Sequence, residues 1–282
     1  MAIPFCKFHG FGNDYIVAEL QHIATARPLG ELARAMCERN TGVGADGLAV
    51  LEKRDGSGTD YFCEIVNPDG TSASFSGNGT RCAAAYLHYK KLWTDKRLRL
   101  ETVSGIKNYD LIEVLDGDKY LFEAEIGKPR FASDAIPVAI DPPTDSIVNE
   151  PIEVDGGQNS FAAVNVGNPV VCIFVDEFDF DWRAVGRTME THPKFPERTN
   201  VVFIKVTDAQ NIDIRIWERG AGETSSSGTC SSGAAVMSAF LRRTGRRVSV
   251  HAEGGTTEID WRREDDEIVI KGIAQMVFCG EW

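Results

Sequence analysis

Two stretches decide how this chain folds: Ser76-Gly77-Asn78-Gly79-Thr80-Arg81-Cys82-Ala83-Ala84-Ala85 and Ser227-Gly228-Thr229-Cys230-Ser231-Ser232-Gly233-Ala234-Ala235. Each opens on serine, glycine and other small residues. Each then runs into an Ala-rich body, with Tyr86 and Leu87 in the first and Val236, Met237, Phe240 and Leu241 in the second. A helix with so little polar surface must be buried on nearly every side, for example inside a strongly curved sheet. The local similarity of the two stretches predicts two similar lobes. A glycine-preceded helix N-terminus also presents unpaired N–H groups and the positive end of the helix dipole, so it can hold a carboxylate without a basic side chain. If the lobes face each other, Gly77, Asn78, Gly228 and Thr229 grip one carboxylate from both sides. Ser76 and Ser227 then lie on opposite faces of its α-carbon, the layout that stereoinversion needs.

Outward from these stretches, the chain reads mostly as strands. The β-rich runs are 61–66, 97–103, 111–115 turning through Asp116-Gly117 into 120–124, 170–175, 201–206 and 212–217, with a last strand near 276–282. Helical periodicity is confined to 29–39, 77–91, 181–190 and 228–243. The 282 residues, 43% of them hydrophobic, are enough for one large or two medium domains. Lys plus Arg number 30 against 42 Asp plus Glu, and a net charge of −12 argues against nucleic acid or an anionic membrane as partner. A small molecule is the expected partner. The N-terminus shows no signal region and no apolar run approaches the roughly 20 residues of a membrane span, which predicts a cytoplasmic protein. Seven cysteines without metal-type spacing read as scattered reduced thiols, with neither a disulfide framework nor a zinc site.

Seven short motifs then fall in register: His9-Gly10-Phe11-Gly12-Asn13-Asp14-Tyr15, Gly42-Val43-Gly44-Ala45-Asp46-Gly47-Leu48, Asn67-Pro68-Asp69-Gly70-Thr71, Gly77-Asn78-Gly79-Thr80-Arg81-Cys82, Gly167-Asn168-Pro169, Arg198-Thr199-Asn200-Val201 and Glu218-Arg219-Gly220-Ala221-Gly222-Glu223-Thr224. None contains the Gly-Lys-Ser/Thr of a Walker loop, and no Gly-x-Ser-x-Gly elbow occurs. In order and spacing they resemble the signatures of the diaminopimelate epimerase family.

That resemblance implies an α+β fold of two pseudo-symmetric lobes, 1–128 plus 273–282 and 129–272, each a curved mixed or antiparallel sheet wrapped around a central helix. It implies an active site in the cleft between them, no cofactor and no metal, and a homodimer as a candidate assembly. The implied reaction is epimerisation of LL- to meso-diaminopimelate, in lysine and cell-wall biosynthesis. The substrate's distal end would be held by Asn13, Asn67, Asn168, Asn200, Glu218 and Arg219, and its α-carboxylate by Gly77, Asn78, Gly228 and Thr229. A zwitterionic group needs both donors for a carboxylate and acceptors for an ammonium, and this set supplies both.

The chain departs from the family where protons move. The two catalytic cysteines of the family fall on Ser76 and Ser227, and the histidine that follows Gly-Asn-Pro is Val170. A serine works in place of a thiol only as a relay to a carboxylate such as Glu218 or Glu223, or beside another acid or base. Cys82 and Cys230 lie within the helices and read as core residues. Alternatives on the same scaffold are a one-base isomerase or lyase and a catalytically silent amino-acid-binding paralogue.

Overall fold

In the computed structural model, which describes residues 2–23, 27–56, 58–73, 75–154 and 156–282, contacts divide the chain into two units. The first comprises Met1–Glu125 and Lys271–Trp282, the second Ile126–Ile270. The fold is sheet-rich and mixed, with few helices.

In the first unit the elements run β1 (Pro4–Gly10), β2 (Asn13–Glu19), α1 (Leu29–Cys37), β3 (Gly47–Lys53), β4 (Tyr61–Val66), β5 (Ser72–Ala73), α2 (Gly77–Tyr89), β6 (Arg97–Thr102), β7 (Gly105–Leu115) and β8 (Lys119–Gly127). Strands β2, β1, the C-terminal strand Ile268–Glu281, β8, β7, β6, β4 and β3 pair in that order, and β3 returns to β2, which closes a barrel. Two of these pairings, β2 with β3 and β4 with β6, are parallel. Helix α2 is buried from Asn78 through Leu87 and packs on β1, β2, β3, β4 and β6. Its alanines permit that approach, and Gly79 is required by it, because a Cβ there would lie 2.9 Å from both Ile65 Cδ1 and Tyr15 Cε1. Helix α1 covers another face of the sheet, where Leu32, Ala33 and Met36 join Ile16, Leu48 and Val50 in one core.

We expect Gly79→Ala to destabilise the fold by about 1–3 kcal/mol, the usual cost of overpacking. A urea midpoint unchanged from the parent would show that α2 can move away from β2.

The second unit contains β9 (Ile147–Val154), β10 (Gly157–Asn165), β11 (Pro169–Phe174), α3 (Trp182–Glu190), β12 (Asn200–Val206), β13 (Asn211–Glu218), β14 (Gly222–Thr224), α4 (Gly228–Phe240), β15 (Arg247–Ala252) and β16 (Gly255–Trp261). Its pairings repeat those of the first unit: β10 antiparallel to β11, β11 parallel to β12, β12 antiparallel to β13, a short β14 on β13, β13 parallel to β15, and β15 antiparallel to β16. Helix α4 follows β14 as α2 follows β5, and both helices have thirteen residues. Helix α4 packs on strands β10 to β13, β15 and β16. Gly233 plays the part of Gly79, since a Cβ there would meet Val170 Cβ at 2.9 Å. Helix α3 is amphipathic and places Trp182 and Met189 in a core with Phe161, Phe203 and Trp217.

Both long helices end two or three residues before the predicted 91 and 243. Lys91 and Arg242 take positive φ of 57° and 59° and turn the chain away. Among the described residues no helix is long and apolar enough to cross a membrane.

One expectation fails. Cys6 of β1 and Cys279 of the C-terminal strand are direct register partners and form a disulfide. Nothing local could reveal it, because the two residues are 273 apart in sequence and only strand pairing makes them neighbours. Cys37, Cys63, Cys82, Cys172 and Cys230 are free and buried.

Candidate active site

The start of α2 is lined by residues of the first unit. Ser76 is the N-cap in extended conformation, and its Oγ accepts the Gly79 N–H at 3.1 Å, one of the donors that every helix start leaves unpaired. The same Oγ lies 2.8 Å from the Tyr15 hydroxyl. Asn78, 4% exposed, donates to Asn13 Oδ1 at 3.2 Å, and Asn13 donates to Asp46 at 2.8 Å. Asp46 is bound in turn by Arg39 at 2.7 Å. Asn13 and Asn78 are thus brought together at the helix start. Asn67 is not part of this cluster: its side chain donates to Thr71 Oγ1 at 3.0 Å within its own turn.

The mouth of α4 belongs to the second unit and differs in its chemistry. Ser227, 6% exposed, is again an extended N-cap, with its Oγ 3.4 Å from the Cys230 N–H and from Thr229 Oγ1. Its hydroxyl donates to Glu218 Oε2 at 2.9 Å, while Thr224 donates to Glu218 Oε1 at 2.8 Å. Burial pushes the Glu218 carboxyl above the usual range, and the two hydroxyl donors offset only part of that rise. Ser227 therefore has a partner able to take a proton.

Glu223, the other carboxylate in the motif, is committed elsewhere. Arg183 binds it in a fork with both contacts at 2.6 Å and holds its carboxyl below the usual range. Glu218 and Arg219 do not pair with each other. Arg219 donates to Asn168 Oδ1 at 3.2 Å and to the Glu197 carbonyl at 3.1 Å, and its backbone N–H donates to Asn200 Oδ1 at 3.1 Å. Asn168, Asn200 and Arg219 thus form one cluster. Among the described residues no carboxylate neutralises that guanidinium.

The remaining thiols are unsuited to proton transfer. Desolvation pushes Cys82 up to about 12 and Cys230 well above the ordinary thiol value. Val170 is fully buried, with its side chain against Gly233 of α4. Sequence reasoning missed Tyr15 as a partner of Ser76. Its position next to Asn13 and Asp14 in the first motif was the available signal, but a strand tyrosine reads as core until the helix cap is placed beside it.

The sheet-rich mixed fold is shared with solved racemase and epimerase structures. The solved structure of a probable proline racemase from Agrobacterium radiobacter superposes with a TM-score of 0.71 at 15% identity, over 99% of this chain and 92% of that one. Residues 5–131 and 162–277 match the family model for diaminopimelate epimerase. A diaminopimelate epimerase from Pelotomaculum thermopropionicum is 39% identical over 280 residues, 99% of this chain and 98% of the relative. One from Synechocystis is 34% identical over 282 residues, 100% and 99% of the two chains. The chain belongs to the diaminopimelate epimerase family, and it is an isomerase.

Proposed function

We propose that this chain is a cofactor-independent epimerase that interconverts LL- and meso-diaminopimelate, or a close relative, through the Ser227–Glu218 pair. The carrying observation is that the Ser227 hydroxyl donates to a partly buried carboxylate whose proton affinity is raised by desolvation. In the proposed step the substrate α-proton passes to Ser227 Oγ while the proton of Ser227 passes to Glu218, so no free alkoxide forms. The electron pair left on the α-carbon spreads into the carboxylate held by the helix N–H groups. Ser76 then gives its proton to the opposite face and takes one from Tyr15, and solvent restores both partners. The two hydroxyls play unequal parts, Ser227 backed by a carboxylate and Ser76 by a phenol.

The same proposal takes each unit as a sheet wrapped around its central helix, with the two helix mouths serving one substrate. It places the reaction in the cytoplasm, in lysine and cell-wall biosynthesis, with the protein as a homodimer. The match of α2 and α4 in length, cap and following strand supports the duplicated plan.

Deuterium incorporation from D2O, read together with the stereochemistry of recovered diaminopimelate, tests the reaction. An epimerase exchanges the α-proton and inverts the centre. Exchange without inversion would indicate one-base chemistry, and binding without exchange would indicate a silent binding protein.

The distal end has its own test. Arg219 has hydrogen-bonding capacity for a carboxylate and no carboxylate partner among the described residues, so Arg219→Ala is expected to weaken binding by about 2–5 kcal/mol. Calorimetry showing unchanged affinity for diaminopimelate would remove Arg219 from the site.

A further inference from the structure

Arg81 heads the fully buried side chains by size, at 1% exposure. Among the described residues no carboxylate pairs with it. Its Nη1 donates to Asn78 Oδ1 at 3.0 Å, and its Nε–H meets no acceptor among the described residues. Its titratable neighbours are Tyr109 and Cys82, both pushed up to about 12 by burial and so neutral. A cation taken out of water without a counter-charge destabilises a fold by several kcal/mol. The chain nevertheless makes room for it. A Cβ at Gly272 would lie 2.9 Å from Arg81 Cζ, and one at Gly10 would lie 3.5 Å from Arg81 Nη1 and 3.2 Å from Asn78 Oδ1.

The guanidinium bears on the first turn of α2. Asn78, which accepts from it, is the second residue of that helix, and its amide donates onward to Asn13. The bond from Arg81 thus fixes which way the Asn78 amide faces. An anion arriving at the helix start meets the positive end of the helix dipole, with the Arg81 cation behind it.

We propose that Arg81 is the positioning residue and buried counter-charge of the α2 mouth, completed electrostatically when a ligand carboxylate binds there. The proposal rests on the reading that the substrate carboxylate sits at this helix start. Arg81 acts through Asn78 and the local field and does not itself touch the ligand.

Opposite signs in two measurements separate this role from a structural one. Arg81→Met removes the unpaired charge, so the ligand-free protein is expected to melt at a higher temperature than the parent. Its affinity for meso-diaminopimelate by calorimetry is expected to fall roughly tenfold or more. A lower melting temperature with unchanged affinity would overturn the proposal. If that variant does not fold, Arg81→Lys decides. A buried ammonium loses its proton more readily than a guanidinium, so affinity in that variant should decline as pH rises, while the parent stays flat over the same range. A flat profile in both would equally overturn it. Should the parent not bind diaminopimelate, the functional reading fails, and acetate exchanged for chloride at constant ionic strength tests Arg81 separately. Acetate should then raise the melting temperature of the parent more than that of Arg81→Met, and equal shifts would sink the proposal.

Discussion

Replacing Ser76 and Ser227 together by cysteine is expected to raise α-proton exchange of diaminopimelate by orders of magnitude. A thiol of pKa about 8.5 needs only about 2 kcal/mol to be a thiolate at neutral pH, and a helix N-terminus can remove even that. An unassisted hydroxyl, about as weak an acid as water, needs about 12 kcal/mol to form its alkoxide at neutral pH. The helix dipole supplies at most about 2 kcal/mol. The relay to Glu218 lowers this demand on one side only, because the partner of Ser76 is a phenol. One cysteine alone should therefore help much less than two, since inversion needs an acid and a base on opposite faces. Each replacement also removes an N-cap oxygen, so each variant should lose about 1 kcal/mol of stability. Full epimerase activity in the unmodified chain, or no gain from the double variant, would count against this account of the serines.

Glu218→Gln is expected to lower the exchange rate by roughly 10²–10⁴, the range ascribed to one general base. The geometry would be nearly kept while the acceptor for the Ser227 proton is lost. The pH dependence identifies the group. Burial holds the Glu218 carboxyl above its ordinary value of 4.5, so in the parent the rate should fall as pH drops through that raised value, and the Gln variant should lose this limb. Stability should move the other way. A carboxyl with a raised folded pKa contributes stability fully present below its unfolded value and lost as pH rises through the folded one. At neutral pH the parent therefore bears a partly desolvated charge that the Gln variant lacks, and the variant should be at least as stable. A parallel loss of activity and melting temperature would instead make Glu218 a packing residue.

Much of the architecture is legible along the chain because its causes are local. The Ala-rich bodies of α2 and α4 can be stable only when buried, and the serine and glycine at their starts are chosen by capping and close approach. The repeated Ser-Gly-helix pattern reads as a duplication, and the order of strand pairings in the two units repeats accordingly. Several strands are harder to read. Strand β10 begins with the polar Gly157-Gln158-Asn159-Ser160, and the first motif, residues 9–15, holds the end of β1 and the start of β2. Their strand character comes from neighbours that complete the ladder.

What the sequence determined by itself is the family, the sheet-rich class, the helix mouths and the absence of thiols at both, since each follows from residue type at a fixed spacing. What only the tertiary structure decided is which partner each side chain takes. Glu218 and Glu223 are both candidate relay carboxylates in the sequence, yet the fold sets one against Ser227 and spends the other on Arg183. Tyr15 reaches Ser76 across 61 residues, Arg81 is buried with no carboxylate partner among the described residues, and Cys6 finds Cys279. Hydrogen bonding, desolvation and disulfide formation depend on distances of a few ångströms, and in a closed sheet those are set by strand register between segments far apart in the chain.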